Sequence, residues 1–333
     1  MTLRIGVVGL GMMGQTHLDV YAQRDDAEVV AVGDRSPHRL AGSSKAGGNI
    51  EGQAEGGFDL ARVEKFTDAA DMLALVDIVD VCVPTPFHLE VARLALDADK
   101  HVLIEKPVCR TSEQAASLAA IADAASGKSM VAMCMRFWPG WTDLKAAVED
   151  GRYGALKSAS FTRIAAHPGG AFYEDAKASG AAILDLHLHD TDFVRHLLGD
   201  PAAVRSVGTS LITDGIDHVV SHYDYPGMSV VAEGGWAMSA GFPFTMRFVA
   251  NFERATLDFD LARETPLMRA MDGKYEPVEL AEGMGYAHEI GHFLDCVREG
   301  RQPSVSIADA GRSVALVEAE EQSVRSGEAV TVC

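Results

Sequence analysis

The chain has 333 residues, 47% of them hydrophobic and 23% charged, enough for two domains of ordinary size with a large core. Its formal net charge of −19 works against DNA, RNA and anionic membranes as partners. It still allows an anionic cofactor held by backbone N–H groups at a helix start.

Leu3 to Val8 is a short apolar run that stops at glycines, and reads as a buried strand. A helix is expected from about Met12 to Arg24, a strand at Glu28 to Gly33 and a helix at Pro37 to Lys45. The Gly-rich stretch Gly47 to Gly57 reads as an exposed loop. Val63 to Phe66 is a weak strand, and Asp77 to Val83 a strong one that stops at Pro84-Thr85-Pro86. A helix at His88 to Asp97, a strand at His101 to Ile104, a helix at Thr111 to Ala125 capped by Thr111 or Ser112, and a strand at Ser129 to Cys134 follow. This alternation predicts an α/β doubly wound parallel sheet, a Rossmann domain, over residues 1–134.

From residue 135 to 333 the pattern changes to an α+β domain. Helices are expected at Trp141 to Glu149 and Ala181 to Leu198. Period-2 strands are expected at Ala202 to Ile212, His218 to Tyr225, Met228 to Trp236, Phe244 to Phe252 and Thr256 to Leu261. They predict an open antiparallel sheet with one covered face. Tyr286 to Arg298 and Ser306 to Arg325 read as the closing helices, ahead of a last short strand. No run is long and apolar enough for a membrane span, and the start of the chain enters a strand without room for a signal peptide. Cys82, Cys109, Cys134, Cys296 and Cys333 are scattered and odd in number, so reduced thiols in a cytoplasmic protein are expected.

Gly9-Leu10-Gly11-Met12-Met13-Gly14 follows a strand and opens a helix, the context that makes Gly-x-Gly-x-x-Gly a dinucleotide turn. Gly9 allows the tight turn, Gly11 the approach of a pyrophosphate, and Gly14 close helix–strand packing. Asp34 ends the second strand, where a carboxylate accepts hydrogen bonds from ribose hydroxyls and repels a 2′-phosphate, favouring NAD; Arg35 beside it leaves room for NADP. Pro84 and Thr85, beyond a strand end, either line the nicotinamide side or simply turn the chain.

Lys106 also stands at a strand end, flanked by Glu105 and Pro107. An ammonium there can stabilise a developing alkoxide, or be plain surface. Asp185 and His189 are four apart on one helix face. Histidine is the natural general base near neutral pH, and a neighbouring carboxylate orients it. Asp192 and His196 extend this polar stripe, which is either a catalytic face or a solvated one. His187 and His189 point about 200° apart, so the Asp/His run does not form one metal site and no metal is expected. Arg163, His167, Trp138 and Tyr173 are candidates for substrate contact, each equally readable as packing or surface.

With these residues named, the chain resembles the Gfo/Idh/MocA family of NAD(P)-dependent sugar and cyclitol oxidoreductases over nearly its whole length. The carriers are Gly9–Gly14, Val83-Pro84-Thr85-Pro86 with His88, His101–Pro107 with its Glu105-Lys106-Pro107 signature, Arg136-Phe137, Gly151 and Gly154, the Asp185/His189/Asp192 helix with Leu198-Gly199, and Phe293-Leu294. The resemblance implies that Lys106, Asp185 and His189 form the catalytic trio. It also places Met12, Met13, His88, Glu105 and Lys106 with the glycines around the cofactor. It implies a dimer or tetramer through the open sheet. Ser179-Gly180-Ala181-Ala182 and His187 depart from the family pattern, and the bulky His187 is expected to narrow the pocket or touch substrate. The expected activity is NAD-dependent oxidation of a CH–OH group on a sugar, sugar derivative or inositol. The alternatives are an NAD-dependent glycosidase with recycled cofactor and a non-catalytic NAD-binding redox sensor.

Overall fold

The computed structural model describes residues 2–42, 53 and 57–332. Most of the Gly47–Gly57 stretch therefore lies outside the described residues, as does the end of the helix expected at Pro37 to Lys45. The chain forms two compact units, Met1–Cys134 with Tyr286–Arg312, and Met135–Gly285 with Ser313–Cys333. The first unit thus takes back a segment from the end of the chain, which contiguous domains at 1–134 and 135–333 did not include.

In the first unit the elements are β1 (Leu3–Val8), α1 (Met12–Ala22), β2 (Ala27–Gly33), α2 (Pro37–Leu40), β3 (Glu64–Phe66), β4 (Ile78–Val81), α3 (His88–Asp97), β5 (His101–Glu105), α4 (Ser112–Ala124) and β6 (Ser129–Ala132). The strands pair in parallel in the order β3-β2-β1-β4-β5-β6. Ile5, Val7, Ile78, Val81, Val102, Leu103 and Ile104 are fully buried, as expected of the central strands of a parallel sheet covered on both faces. Thr111 is the cap of α4: its hydroxyl oxygen accepts the Gln114 N–H at 3.2 Å. The strand order reverses between β1 and β4, the place where open α/β sheets bind ligands.

The second unit begins with α5 (Trp141–Asp150) and β7 (Leu156–Ala166), followed by short helices α6 (Ala171–Glu174) and α7 (Ala176–Ser179). A π-helical turn at Ile183–His187 then leads into α8 (Leu188–Leu198). The strands β8 (Ala203–Thr209), β9 (His218–Tyr225), β10 (Met228–Met238), β11 (Thr245–Phe252), β12 (Thr256–Asp260), β13 (Leu267–Met271) and β14 (Lys274–Pro277) come next. The chain closes with α9 (Gly285–Glu299), α10 (Ile307–Ser326) and β15 (Val330–Thr331). The nine-stranded sheet runs β14-β13-β12-β11-β7-β10-β9-β8-β15.

This sheet is mixed rather than purely antiparallel, because β10 lies parallel to β7. Parallel neighbours need a long connection, and three helices and two strands separate β7 from β10. Strands β13 and β14 were not foreseen; β14 is exposed throughout and carries no alternation. On β11 the expected faces hold: Met246, Phe248, Ala250 and Phe252 are buried, while Arg247, Val249 and Asn251 are exposed. The covered face centres on Trp141, whose ring meets Phe248 edge-on at 4.9 Å and Phe259 at 4.5 Å. Such pairs stabilise by about 0.5–1.5 kcal/mol beyond area burial.

Candidate active site

The turn between β1 and α1 is built from three glycines with three different constraints. Gly9 has φ +98°, and a Cβ there would meet the Cys82 carbonyl oxygen at 2.5 Å. A Cβ on Gly14 would lie 1.8 Å from the Gly9 carbonyl oxygen, so α1 packs directly on the turn. Gly11 is the opposite case: a Cβ would meet nothing within 4 Å. Gly11 is also the cap of α1 and offers no side-chain acceptor to its first N–H groups. An open, glycine-lined helix start is what a pyrophosphate requires, so the residues present fit a dinucleotide. Met12 and Met13 form the half-buried first turn of that helix.

Asp34 follows β2 and is 8% exposed. Its carboxylate accepts the Leu10 N–H at 2.8 Å and the Ser36 N–H at 2.7 Å. It therefore braces the glycine turn, a role the spacing did not reveal. Arg39, on α2, stands 3.6 Å from the same carboxylate. Arg35 turns elsewhere: its guanidinium lies 4.9 Å from the Phe87 ring centroid and 3.3 Å from Glu90.

At the end of β4, Pro84 is exposed and Thr85 is buried. Two residues expected at the cofactor point inward instead. His88 is 1% exposed, with Nδ1 2.8 Å from the Pro107 carbonyl and Nε2 2.8 Å from the Val83 carbonyl. It brackets the ends of β4 and β5. Burial lowers its pKa against the pull of the two carbonyls. Glu105 is 4% exposed. One of its oxygens accepts the Lys106 N–H at 2.9 Å, and the other lies 3.1 Å from His17 Nε2. Lys106 itself is half-buried.

In the second unit the helix bearing Asp185 and His189 is buried nearly all round. Ile183, Leu184, His187, Leu188 and every residue from Asp190 to Arg195 are buried, whereas Asp185, Leu186 and His189 are half-exposed. The π turn at Ile183–His187 falls on this opening, a placement frequent at functional sites.

His187 does not face the opening. It is fully buried with its ring against β10, where a Cβ on Gly234 would lie 2.4 Å from Nδ1, and its Nε2 is 3.5 Å from Glu320. The glycine in β10 makes room for the imidazole, so His187 packs under the sheet rather than narrowing a pocket. Asp192 also leaves the polar stripe. It is 1% exposed and held by Arg136 Nε at 2.8 Å, Arg136 Nη2 at 2.6 Å and Ser313 Oγ at 2.6 Å. Burial pushes its pKa up, but the Arg136 charge and hydrogen bonds outweigh that and hold it below the ordinary value.

Arg163, expected as a substrate contact, is instead a buried partner of Asp190, at 2.8 and 3.0 Å. Trp138 is 5% exposed. His167 and Tyr173 are half-buried and gather edge-on about Trp236, at 5.4 and 5.6 Å. Trp236 was missed as a member of this group. It follows Gly234 and Gly235 on β10, and its Nε1–H donates to Asp217 at 3.1 Å.

Among the described residues no helix is long and apolar enough to cross a membrane. The family model for the oxidoreductase family with an NAD-binding Rossmann fold matches residues 3–133, and the model for the GFO/IDH/MocA C-terminal domain matches residues 141–258. Inositol 2-dehydrogenase of Rhizobium meliloti is 26% identical over the full length of both chains. UDP-N-acetylglucosamine 3-dehydrogenase of Acidithiobacillus ferrooxidans is 30% identical over 94% of each. The solved structure of levoglucosan dehydrogenase in complex with NADH and levoglucosan matches with a TM-score of 0.86 over all of both chains, at 21% identity, a likeness of fold. The glycine turn, the strand order and these matches together make the chain a member of the Gfo/Idh/MocA oxidoreductase family, whose N-terminal domain is an NAD-binding Rossmann fold.

Proposed function

We propose that the protein is an NAD-dependent dehydrogenase acting on a ring CH–OH group of a sugar, sugar derivative or cyclitol, with Lys106, Asp185 and His189 as its catalytic residues. The observation that carries this reading is the half-exposed Asp185/His189 pair on a helix whose other titratable side chains from Ile183 to Arg195 are buried. The names of the relatives, an inositol and a UDP-sugar dehydrogenase, support the substrate class. NAD, when bound, supplies the hydride acceptor. His189 takes the hydroxyl proton, Lys106 stabilises the oxygen as its negative charge develops, and Asp185 orients the group. The carbinol becomes a carbonyl, one hydride goes to the cofactor and one proton to His189.

The test is NADH formation from NAD with a panel of inositols, aldoses, sugar acids and nucleotide sugars. A hit fixes the reaction. Silence with NAD bound, together with net hydrolysis of a glycoside, would replace this reading with the recycled-cofactor one.

Gly9, Gly11, Gly14, Met12, Met13 and Asp34 are the proposed cofactor cradle, with Arg35, Pro84 and Thr85 at its edge. Two glycine variants should separate packing from binding. Gly11→Ala should leave the thermal midpoint close to that of the wild type while weakening NADH binding at least about tenfold, since the new methyl occupies only the open side. Gly14→Ala should destabilise the fold by about 1–3 kcal/mol, since its methyl meets backbone. Equal stability loss in both would remove Gly11 from the cofactor surface.

Asp34→Ala is expected to narrow the preference for NAD over NADP and also to weaken NAD binding, because the Leu10 N–H loses its acceptor. Unchanged Kd values for both cofactors would mean that Asp34 does not read the ribose.

The proposed assembly is a homodimer or homotetramer through the open face of the nine-stranded sheet. Val207 and Val220 pair directly there, and Val249 shares that face amid polar neighbours. Light scattering on the purified protein tests it, and a monomer at micromolar concentration would refute it. The buried free thiols Cys82, Cys109, Cys134 and Cys296 fit a cytoplasmic setting.

A further inference from the structure

Beneath the glycine turn the first unit buries a set of ionisable groups that the proposed reaction does not use. His17, on α1, is 0% exposed and lies between two acids. Its Nδ1 is 2.8 Å from Asp80 Oδ2, on β4, and its Nε2 is 3.1 Å from Glu105 Oε1, at the end of β5. Asp80 also accepts the Tyr21 hydroxyl at 2.9 Å and faces the Cys82 thiol at 3.4 Å. Glu289, on α9, completes the group. It is fully buried, its two oxygens have no hydrogen-bond partner among the described residues, and an oxygen of it lies within 4.8 Å of both His17 and Glu105.

A carboxylate only accepts, and one stands at each ring nitrogen, so the arrangement favours the imidazolium with a proton on both nitrogens. The Nε2 contact is off the hydrogen-bond line and is an ion pair rather than an ideal hydrogen bond. Glu105 is the pivot of the arrangement. With one oxygen it meets His17, and with the other it accepts the N–H of Lys106.

We propose that His17 is a positioning residue: its charged ring clamps Asp80 and Glu105, and so ties the strand end bearing Lys106 to the helix that follows the dinucleotide turn. Burial alone would lower the His17 pKa, but the charge of Asp80 reverses this and holds it well above the ordinary value. Burial pushes the Glu289 carboxyl well up, and the charge of Glu105 adds to the effect. Both effects favour the protonated, neutral form of Glu289. A third carboxylate in the same dry space would be far costlier than a neutral acid.

The inference rests on Lys106 as the reactive amine of the proposed function, so its test reads Lys106 directly and without substrate. The modification rate of Lys106 by an amine reagent, followed by mass spectrometry, is measured in the wild type, His17→Gln, Glu105→Gln and the double variant. His17→Gln leaves a neutral amide that cannot satisfy both acids, whereas Glu105→Gln keeps an acceptor for the Lys106 N–H. His17→Gln is expected to change the rate about fivefold, the equilibrium factor for losing one net hydrogen bond. In the Glu105→Gln background the same substitution should change nothing further, since the effect passes through Glu105. NADH affinity should move less than about threefold, less than one net hydrogen bond.

Independent effects of the two substitutions, or a lower thermal midpoint with an unchanged Lys106 rate, would reduce His17 to a core residue. Should His17→Gln fail to fold, the wild type still decides. Nitrogen-15 spectra of the NADH-bound protein must show an imidazole with both nitrogens protonated at about pH 8, well above the ordinary histidine range. Absence of that signal overturns the proposal. So does a stoichiometric divalent cation retained through purification, which would claim the same nitrogen and oxygen atoms. If the proposal holds while the substrate panel stays silent, the clamp stands and only the reaction assignment falls.

Discussion

Replacing His189 by alanine is expected to lower turnover by about 10²–10⁴-fold, the usual contribution of a positioned general base, with NADH binding nearly unchanged. The reason is local. His189 and Asp185 are the two titratable side chains that the helix leaves half-exposed between Ile183 and Arg195, and the proposed cofactor cradle is built from other elements. Steady-state kinetics on whichever polyol the panel returns, beside an NADH titration, checks it. Retained turnover in His189→Ala would sink the assigned mechanism. A matching loss of NADH affinity would show that the substitution disturbs more than proton transfer.

The largest stability effect is expected at Arg136. Arg136→Met leaves the Asp192 carboxylate buried with the Ser313 hydroxyl as its remaining described donor, and breaking a buried pair from one side costs about 3–5 kcal/mol. The pH dependence has a definite sign. In the wild type the Asp192 pKa is held below its ordinary value, so the pair's stabilisation is present above the ordinary carboxylate range and is lost as pH falls through the folded-state pKa. In the variant burial is opposed only by the Ser313 hydrogen bond and the Arg195 charge, so that pKa rises and the gap between the two proteins should close on acidification. Denaturant unfolding at several pH values measures both. Adding Asp192→Asn to Arg136→Met should recover part of the loss, because a neutral amide needs no counter-charge. A loss below about 1 kcal/mol, the range of exposed pairs, would mean that the pair is solvated.

Much of the first unit was legible from the residues. A parallel sheet covered on both faces demands apolar strands, and glycines that open a helix after the first strand have few other uses. Asp34 was legible as a carboxylate at the end of β2, but its hold on the Leu10 N–H was not, because that contact spans two segments. Spacing along one helix likewise singled out Asp185 and His189, which the helix leaves half-exposed. Spacing could not show that Asp192, on the same stripe, is consumed by Arg136, or that Arg163 is consumed by Asp190. Charged residues look alike in a sequence whether they face water or a buried partner. The signal that would have found His17 was faint: a histidine three residues past Gly14, on the buried side of a helix that also buries Leu18 and Tyr21.

The amino-acid sequence by itself therefore determined most of the elements, the glycine turn, the parallel doubly wound sheet implied by their alternation, and the Asp185/His189 helix. Each of these depends on periodicity or on backbone freedom within a few residues. Tertiary structure decided the rest. It laid β10 parallel to β7, turned His187 into the space left by Gly234, brought His88 between two strand ends, and closed His17, Asp80, Glu105 and Glu289 into one buried group. These outcomes depend on pairs far apart in the chain. Burial makes each polar group either find a partner or lose its charge, and which partner it finds is a matter of packing.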